Sequence, residues 1–426
     1  MAGLALQYQT RYPVIMKVWV KLLIGSILGM TIGFLMPAES QNVASAFQWL
    51  EKLALGMGRY VVVPVLVFSL TIAVYELRQD DQFWPMVLKN FLLIVAASVF
   101  VIFSGIMVTL FFSPGRIPIE KVEHFETLSL ETAANIIDIF PSNMLSVLAS
   151  GGIYLFPICA FAFFLGMGLN YDRNYTKPVI SLIDSLSRIF YHVASFFSEI
   201  LGFILIVLSA YWAVRFNGIL QIKVYKSLVV MLGVFSVVLC FGILPLFLYL
   251  LRPKVNPWLI LYGSLGPALA AFFSGDINFT IPVLQRHLKE NFGIRRRSSA
   301  LSLALFSTFC RCGSAMTAAA AFIVIIKSYS YLSIAPIDLL SIGLRALAIS
   351  FLLARHPGDG AYIALAVLCL GYGGGEYRAG YLILKPLAFY LAAIGTFIDV
   401  MLNALGSCII ARTNGFVEEK NLVHFI

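Results

Sequence analysis

Two apolar stretches in the second half of this chain are each interrupted, near the middle, by a run that a plain membrane-spanning helix does not tolerate. The first reads Ser274-Gly275-Asp276-Ile277-Asn278-Phe279-Thr280-Ile281-Pro282, and the second reads Ser350 to Gly360 through Ala354-Arg355-His356-Pro357-Gly358-Asp359. Between them, Cys310-Arg311-Cys312-Gly313-Ser314 breaks a third greasy segment. Helix-breaking and charged residues at membrane depth survive only where protein buries them or a watery cavity wets them. Paired interruptions of this kind mark a solute path through a transporter.

Composition supports a membrane setting. Of the 426 residues, 60% are hydrophobic and 12% charged, with a mean hydropathy of +0.91. At roughly 20 residues per spanning helix, such a length holds about eight spans, two hairpins and short loops, with no room for a separate soluble domain. The expected spans are 18–36, 49–76, 86–113, 141–170, 179–214, 226–251, 299–327 and 381–411. Re-entrant hairpins are expected at 256–291 and 337–371, each arm too short to cross alone. Arg11, Lys17 and Lys21 precede the apolar run from Leu22 to Met36, but no small-x-small cleavage site follows, so this reads as a retained first helix.

The net charge of +9 does not indicate nucleic acid, because it is concentrated in short loops. Arg295-Arg296-Arg297 with Arg286, His287 and Lys289 forms one basic cluster, and Arg252 with Lys254 another. Such loops mark the cytoplasmic face. Pro118 to Asp138, with Glu120, Glu123, Glu126 and Glu131, suits the opposite side. Eight crossings of a cell inner membrane then leave both termini cytoplasmic.

A helix broken inside the membrane exposes backbone N–H groups at one half and C=O groups at the other, with their partial charges. These ends can hold a solute or a cation without placing a full charge in lipid. Pro282 and Pro357 fit the breaks, since proline removes a donor and disfavours helix continuation; two proline-kinked full spans are the alternative. The six cysteines all fall in apolar segments, as small buried hydrophobes do. Cys310-x-Cys312 lacks the spacing of a zinc or redox motif. No nucleotide-binding or hydrolase motif is present, so the chain reads as no enzyme and needs no cofactor; the Gly371–Gly375 run reads as a loop. An ion gradient, of Na+ or H+, is left as the energy source.

The order of parts resembles the dicarboxylate/amino acid:cation symporter family, the glutamate-transporter homologues. Gly25-Ser26-Ile27-Leu28-Gly29 onward to Pro37 is similar to the family's first helix, and Val63-Pro64-Val65-Leu66-Val67-Phe68-Ser69-Leu70 to its second. Pro141-Ser142-Asn143 is similar to the start of its fourth, Thr280-Ile281-Pro282-Val283 to the segment after its first hairpin tip, and Asn291-Phe292-Gly293-Ile294 to the loop before its seventh helix. Each match is short; their collinearity carries the resemblance. It implies an all-α polytopic fold of eight transmembrane helices plus two re-entrant hairpins, assembled as a homotrimer in the lipid bilayer. It also implies a scaffold at approximately 14–76 and 141–214, and a moving transport unit at approximately 86–113 and 226–412. A small organic solute of amino-acid or dicarboxylate class would bind between the hairpin tips and broken helices 7 and 8, then cross by an elevator motion.

The departures are informative. The family's serine-rich first tip is replaced by Gly275-Asp276-Ile277, and its Asn-Met-Asp-Gly-Thr falls on Cys310-Arg311-Cys312-Gly313-Ser314. In helix 8, the family's Arg-Thr pair falls on Gly395-Thr396, its asparagine on Asp399 and its aspartate on Asn403, while Ala392 stands where an acid meets substrate amino groups. Loss of the bidentate arginine makes an acidic side chain a poor cargo. Candidate solute contacts are Asp276, Ile277, Asn278, Arg311, Ser314, Arg355, Pro357, Gly358, Thr396 and Asp399; candidate sodium-type ligands are Cys310, Asp399 and Asn403. Arg311 is expected to face protein, paired to Asp399 or Asp276, as a cation substitute or a structural pair. Asp276 is read as a helix N-cap or a proton carrier. Arg355 and His356 either contact an anionic solute or reach an aqueous vestibule. Other readings are a proton-coupled or uncoupled carrier, a channel-like conductance, or a receptor on the same scaffold.

Overall fold

The structure, a computed structural model, describes residues 17–36, 41–118, 137–138, 140–141, 143–149, 151, 153–220, 222–251, 256–330, 334–372, 377–418 and 425. Most of the acidic segment between Pro118 and Asp138 and of the Gly371–Gly375 run lies outside these. The described residues form an all-helical chain with no strand. In order the helices are α1 (Val18–Leu35), α2 (Gln41–Arg59), α3 (Val62–Gln79), α4 (Phe83–Phe112), α5 (Leu155–Gly168), α6 (Arg173–Leu220), α7 (Lys226–Val237) and α8 (Leu244–Leu251). There follow α9 (Pro257–Gly263), α10 (Leu265–Ser274), α11 (Ile277–Glu290), α12 (Arg296–Phe309), α13 (Cys312–Tyr329), α14 (Pro336–Leu352), α15 (Gly360–Gly371), α16 (Gly380–Ile383) and α17 (Ala388–Thr413).

Eight described segments are long and apolar enough to cross a membrane, and α9 with α10, bent by 55°, forms a further broken candidate. Two differences from the expected boundaries stand out. At 141–170 there is a short 3-10 turn, Met144–Ala149, followed by the 14-residue α5. Conversely, α14 and the 3-10 turn Leu353–Arg355 run together over Pro336–Arg355, 20 residues, so the first arm of the second hairpin is long enough to cross. The turn continues the helix because no residue before His356 removes a backbone donor or needs a left-handed conformation.

Two packing modes organise the bundle. Gly25, Gly29 and Gly33 recur every fourth residue along α1 and lie against α6 so closely that a Cβ would come within 2.2 Å of Gly202 O, 2.2 Å of Ile206 O and 2.3 Å of Ala210 O. Such small-residue stripes let membrane helices approach backbone to backbone. The interior proper is made by the 296–329 segment, whose apolar 18-residue stretch is 94% buried, and by Lys385–Thr413, whose stretch is 89% buried, against 33% for the corresponding stretches of α1 and α4. Residues that break helices or carry charge thus sit where protein, not lipid, surrounds them.

The breaks fall where local chemistry sends them. Gly275 takes φ +61° and ends α10, a conformation that glycine adopts without a Cβ clash. Asp276 then starts α11, its Oδ1 accepting from the N–H of Asn278 at 2.8 Å and of Phe279 at 3.1 Å. Pro282, expected to mark this break, lies inside α11 instead; the glycine and the capping aspartate stop the helix about two turns earlier. Pro357 does sit in its break, between the turn ending at Arg355 and the start of α15. The 296–329 segment breaks at Cys310–Arg311. Helix 8, expected to be broken, runs unbroken as α17 from Ala388 to Thr413, since Gly395 and Thr396 remain within its helical ladder.

Candidate solute site and its charged core

The two hairpin tips meet. Ile277 N–H donates to Pro357 O at 3.3 Å, and a Cβ on Gly358 would lie 3.6 Å from Asp276 Oδ2. Beside this junction lies a cavity of about 380 Å³. Ser274, Gly275 and Asp276 of the first tip and Arg355, His356, Pro357, Gly358 and Asp359 of the second form one wall; Glu51, Leu55 and Arg59 of α2 and Leu208, Tyr211, Trp212 and Arg215 of α6 form the other. Its volume falls at the lower end of the range of roughly 300–1,000 Å³ typical of small-molecule sites.

The aromatic part of this wall is continuous. Trp212 packs on Phe272 at 5.0 Å between centroids and on Phe273 at 6.0 Å, bringing α6 against the first hairpin. The Arg215 guanidinium lies 4.2 Å from the Phe389 ring centroid, a cation–π contact that holds its charge at the cavity rim. Asp276 is buried, and its second carboxylate oxygen pairs with Arg59 from α2. One carboxylate therefore caps α11 and ties the first tip to the facing helix.

Beneath the tips, the fully buried Arg311 and Asp399 are paired, Nε to Oδ2, at 3.2 Å. Asp399 also accepts from Gly313 N–H at 2.6 Å and from the Ser314 hydroxyl at 2.8 Å. An anion is thereby placed at the N-terminus of α13, where unpaired amides and the helix dipole favour it. Arg311 Nη2 lies 3.1 Å from Pro357 O, 3.3 Å from His356 O and 3.4 Å from Ser314 Oγ. These two carbonyls follow the end of the second hairpin's first arm, where a cation is favoured for the same reason. A single ion pair thus joins the break in 296–329, the second tip and α17.

The structure therefore gathers Arg311, Ser314, Asp399 and Pro357 at one point, and Asp276, Ile277, Pro357 and Gly358 at another. The side chains of the remaining candidates have other partners. Asn278 Nδ2 donates to Ile153 O at 2.9 Å. Thr396 Oγ1 lies 3.0 Å from Ala271 O and 2.8 Å from Ala392 O, joining α17 to α10. Arg355 is at the cavity rim, 2.5 Å from Asp138 Oδ2. Asn403, one helical turn along from Asp399, is held by Ser307 and Ser407 instead. Cys310 Sγ lies 3.8 Å from Cys312 Sγ.

Sequence reasoning passed over Arg59, Glu51 and Arg215. The signal was present: each is a charged residue within an apolar segment, the criterion that singled out Arg311. Arg59 in particular interrupts Leu55-Gly56-Met57-Gly58 and the apolar run from Val61 onward. Gly58 beside it is required by space, since a Cβ there would be 2.0 Å from the Phe279 ring.

A polytopic helical bundle whose two broken hairpins close on a polar cavity defines a membrane transport protein. The profile of the sodium:dicarboxylate symporter family matches residues 18–413, and the chain belongs to that family. Among curated proteins, none matches the chain.

Proposed function

We propose that this protein is a secondary active transporter that carries a small organic solute, of amino-acid or dicarboxylate class, through the cavity at the hairpin tips. The observation that carries this reading is the meeting of both tips, Ile277 to Pro357, at the edge of that cavity. Opening either tip would expose the space behind it to one side of the membrane, which is the requirement for alternating access. Helices α4 and α7 to α17 form the moving unit; α1, α2, α3, α5 and α6 form the static wall. In support of this division, α1 packs along α6 and α3 against α5, whereas α13 packs on α4, α15 and α17.

Within this reading, Arg59 and Asp276 tie the moving unit to the wall in one state only, and must part for an elevator stroke. The same proposal places the protein in a cell inner membrane with cytoplasmic termini and, as its family resemblance implies, as a homotrimer. A thermal-shift screen of purified protein against amino acids, dicarboxylates and other small metabolites, with sodium, potassium and pH varied, tests it, because a bound solute stabilises the folded state by mass action. Any solute found should then exchange across proteoliposomes in a counterflow assay. A protein with no stabilising solute and no counterflow under any of these ion conditions would refute the transport reading.

A further inference from the structure

Sodium, named in the family's description, is held by hard oxygen donors, carboxylates and carbonyls above all. The interior oxygens that this chain gathers beneath its hairpin tips are Asp399 Oδ2, Ser314 Oγ, Pro357 O and His356 O, and all four lie within 3.1–3.4 Å of one guanidinium. We propose that Arg311 is a tethered cation filling the place that a diffusible monovalent cation would take, so that the second hairpin closes on its tip without sodium. The inference deepens the transport reading and rests on it.

Three observations carry it. The first is charge: the cluster holds one carboxylate, and Arg311 already neutralises it. Adding sodium would leave an uncompensated positive charge in a fully buried site. The second is the direction of the contacts. His356 O and Pro357 O follow directly on the end of the hairpin's first arm at Arg355, so a cation drawn to that negative end fixes the closed position of the tip; here Arg311 Nη2 does so. The third is the mismatch of shape. A guanidinium presents five donors in a planar fork, yet Arg311 Nη1 and Nε have no hydrogen-bond partner among the described residues. The tip carbonyls and Ser314 Oγ crowd Nη2 alone, with the Asp399 carboxylate at Nε, and such a one-sided set of oxygens suits a compact cation better than a fork. Of the two acids on the tips, Asp276 is taken by Arg59 and Asp359 lines the cavity.

The proposal is tested by amide hydrogen exchange of the full-length protein in detergent, read at 353–363, with sodium chloride compared against choline chloride at equal ionic strength. The wild type and Arg311→Lys, which keeps a tethered charge, should be indifferent to sodium. In Arg311→Met the vacated oxygens should bind sodium, and protection of the second tip should rise roughly tenfold at a sodium concentration ten times its dissociation constant. Arg311→Gln serves the same purpose should the methionine variant fail to fold. A saturable, sodium-specific protection in the wild type overturns the proposal, as does a folded neutral variant that stays indifferent, which is the behaviour of a merely structural pair. Exchange reports ion binding with no solute present, so loss of the transport reading in counterflow is a separate result.

Discussion

The Arg311–Asp399 pair gives the sharpest energetic test of this interior. At 3.2 Å, two unit charges in an effective dielectric near 20 attract by about 5 kcal/mol. Desolvation of both groups offsets much of this, so the pair adds little net stability over a well-packed apolar substitute. Removing one partner is different, because the other charge stays buried and unmatched. Asp399→Asn and Arg311→Met should each cost about 3–5 kcal/mol. The Asp399→Asn loss should reach the upper part of that range, since the carboxylate also serves Gly313 N–H and Ser314. The double variant removes both charges and should fall short of the sum of the single losses by about 2–3 kcal/mol. Equilibrium chemical unfolding in detergent, arranged as a double-mutant cycle, measures the coupling. Losses that add to within about 0.5 kcal/mol, the margin for independent sites, would refute the claim that the two charges compensate one another.

Three further outcomes are expected. Gly313→Ala should destabilise by about 1–3 kcal/mol, because its Cβ would come within 2.5 Å of Gly395 O and 2.7 Å of Ile398 Cβ. Gly56→Ala, in α2 with nothing within 4 Å of an added Cβ, should stabilise by about 0.5–1 kcal/mol instead, and melting temperatures of the purified variants read both signs. At the first tip, Asp276→Asn keeps an N-cap acceptor for α11 whereas Asp276→Ala does not, so the alanine variant should be less stable by about 1 kcal/mol; both lose the pairing with Arg59, and equal stabilities would show that the cap contributes nothing.

The interface between α6 and the 286–297 region illustrates how local spacing and tertiary placement divide the same residues. Asp184 and Arg188, four apart, form an intrahelical pair at 3.0 Å. Asp184 also receives Arg296, and Glu199 receives both Lys21 and Arg286. The first pair is a property of helical periodicity. The others depend on which helices become neighbours, which periodicity does not encode.

Sequence alone determined that the chain is an all-helical membrane protein with interruptions at 274–282, 310–314 and 350–360, because water-free surroundings oblige apolar segments to satisfy their own backbone and make every break conspicuous. It also marked Asp276, Arg311, Pro357 and Asp399 as residues of interest, since charges and prolines in such segments are costly wherever they lie. Only the tertiary structure decided their partners. Asp399 lies 88 residues beyond Arg311 in the chain and Arg59 lies 217 before Asp276, and no local pattern selects one acid over another across such separations. Only tertiary structure showed, too, that α17 is continuous and that the α2 and α6 charges line the cavity. Those features follow from how packed helices are rotated toward one another, and a helix apolar nearly all round, as α17 is, carries no periodic signal of which face turns inward.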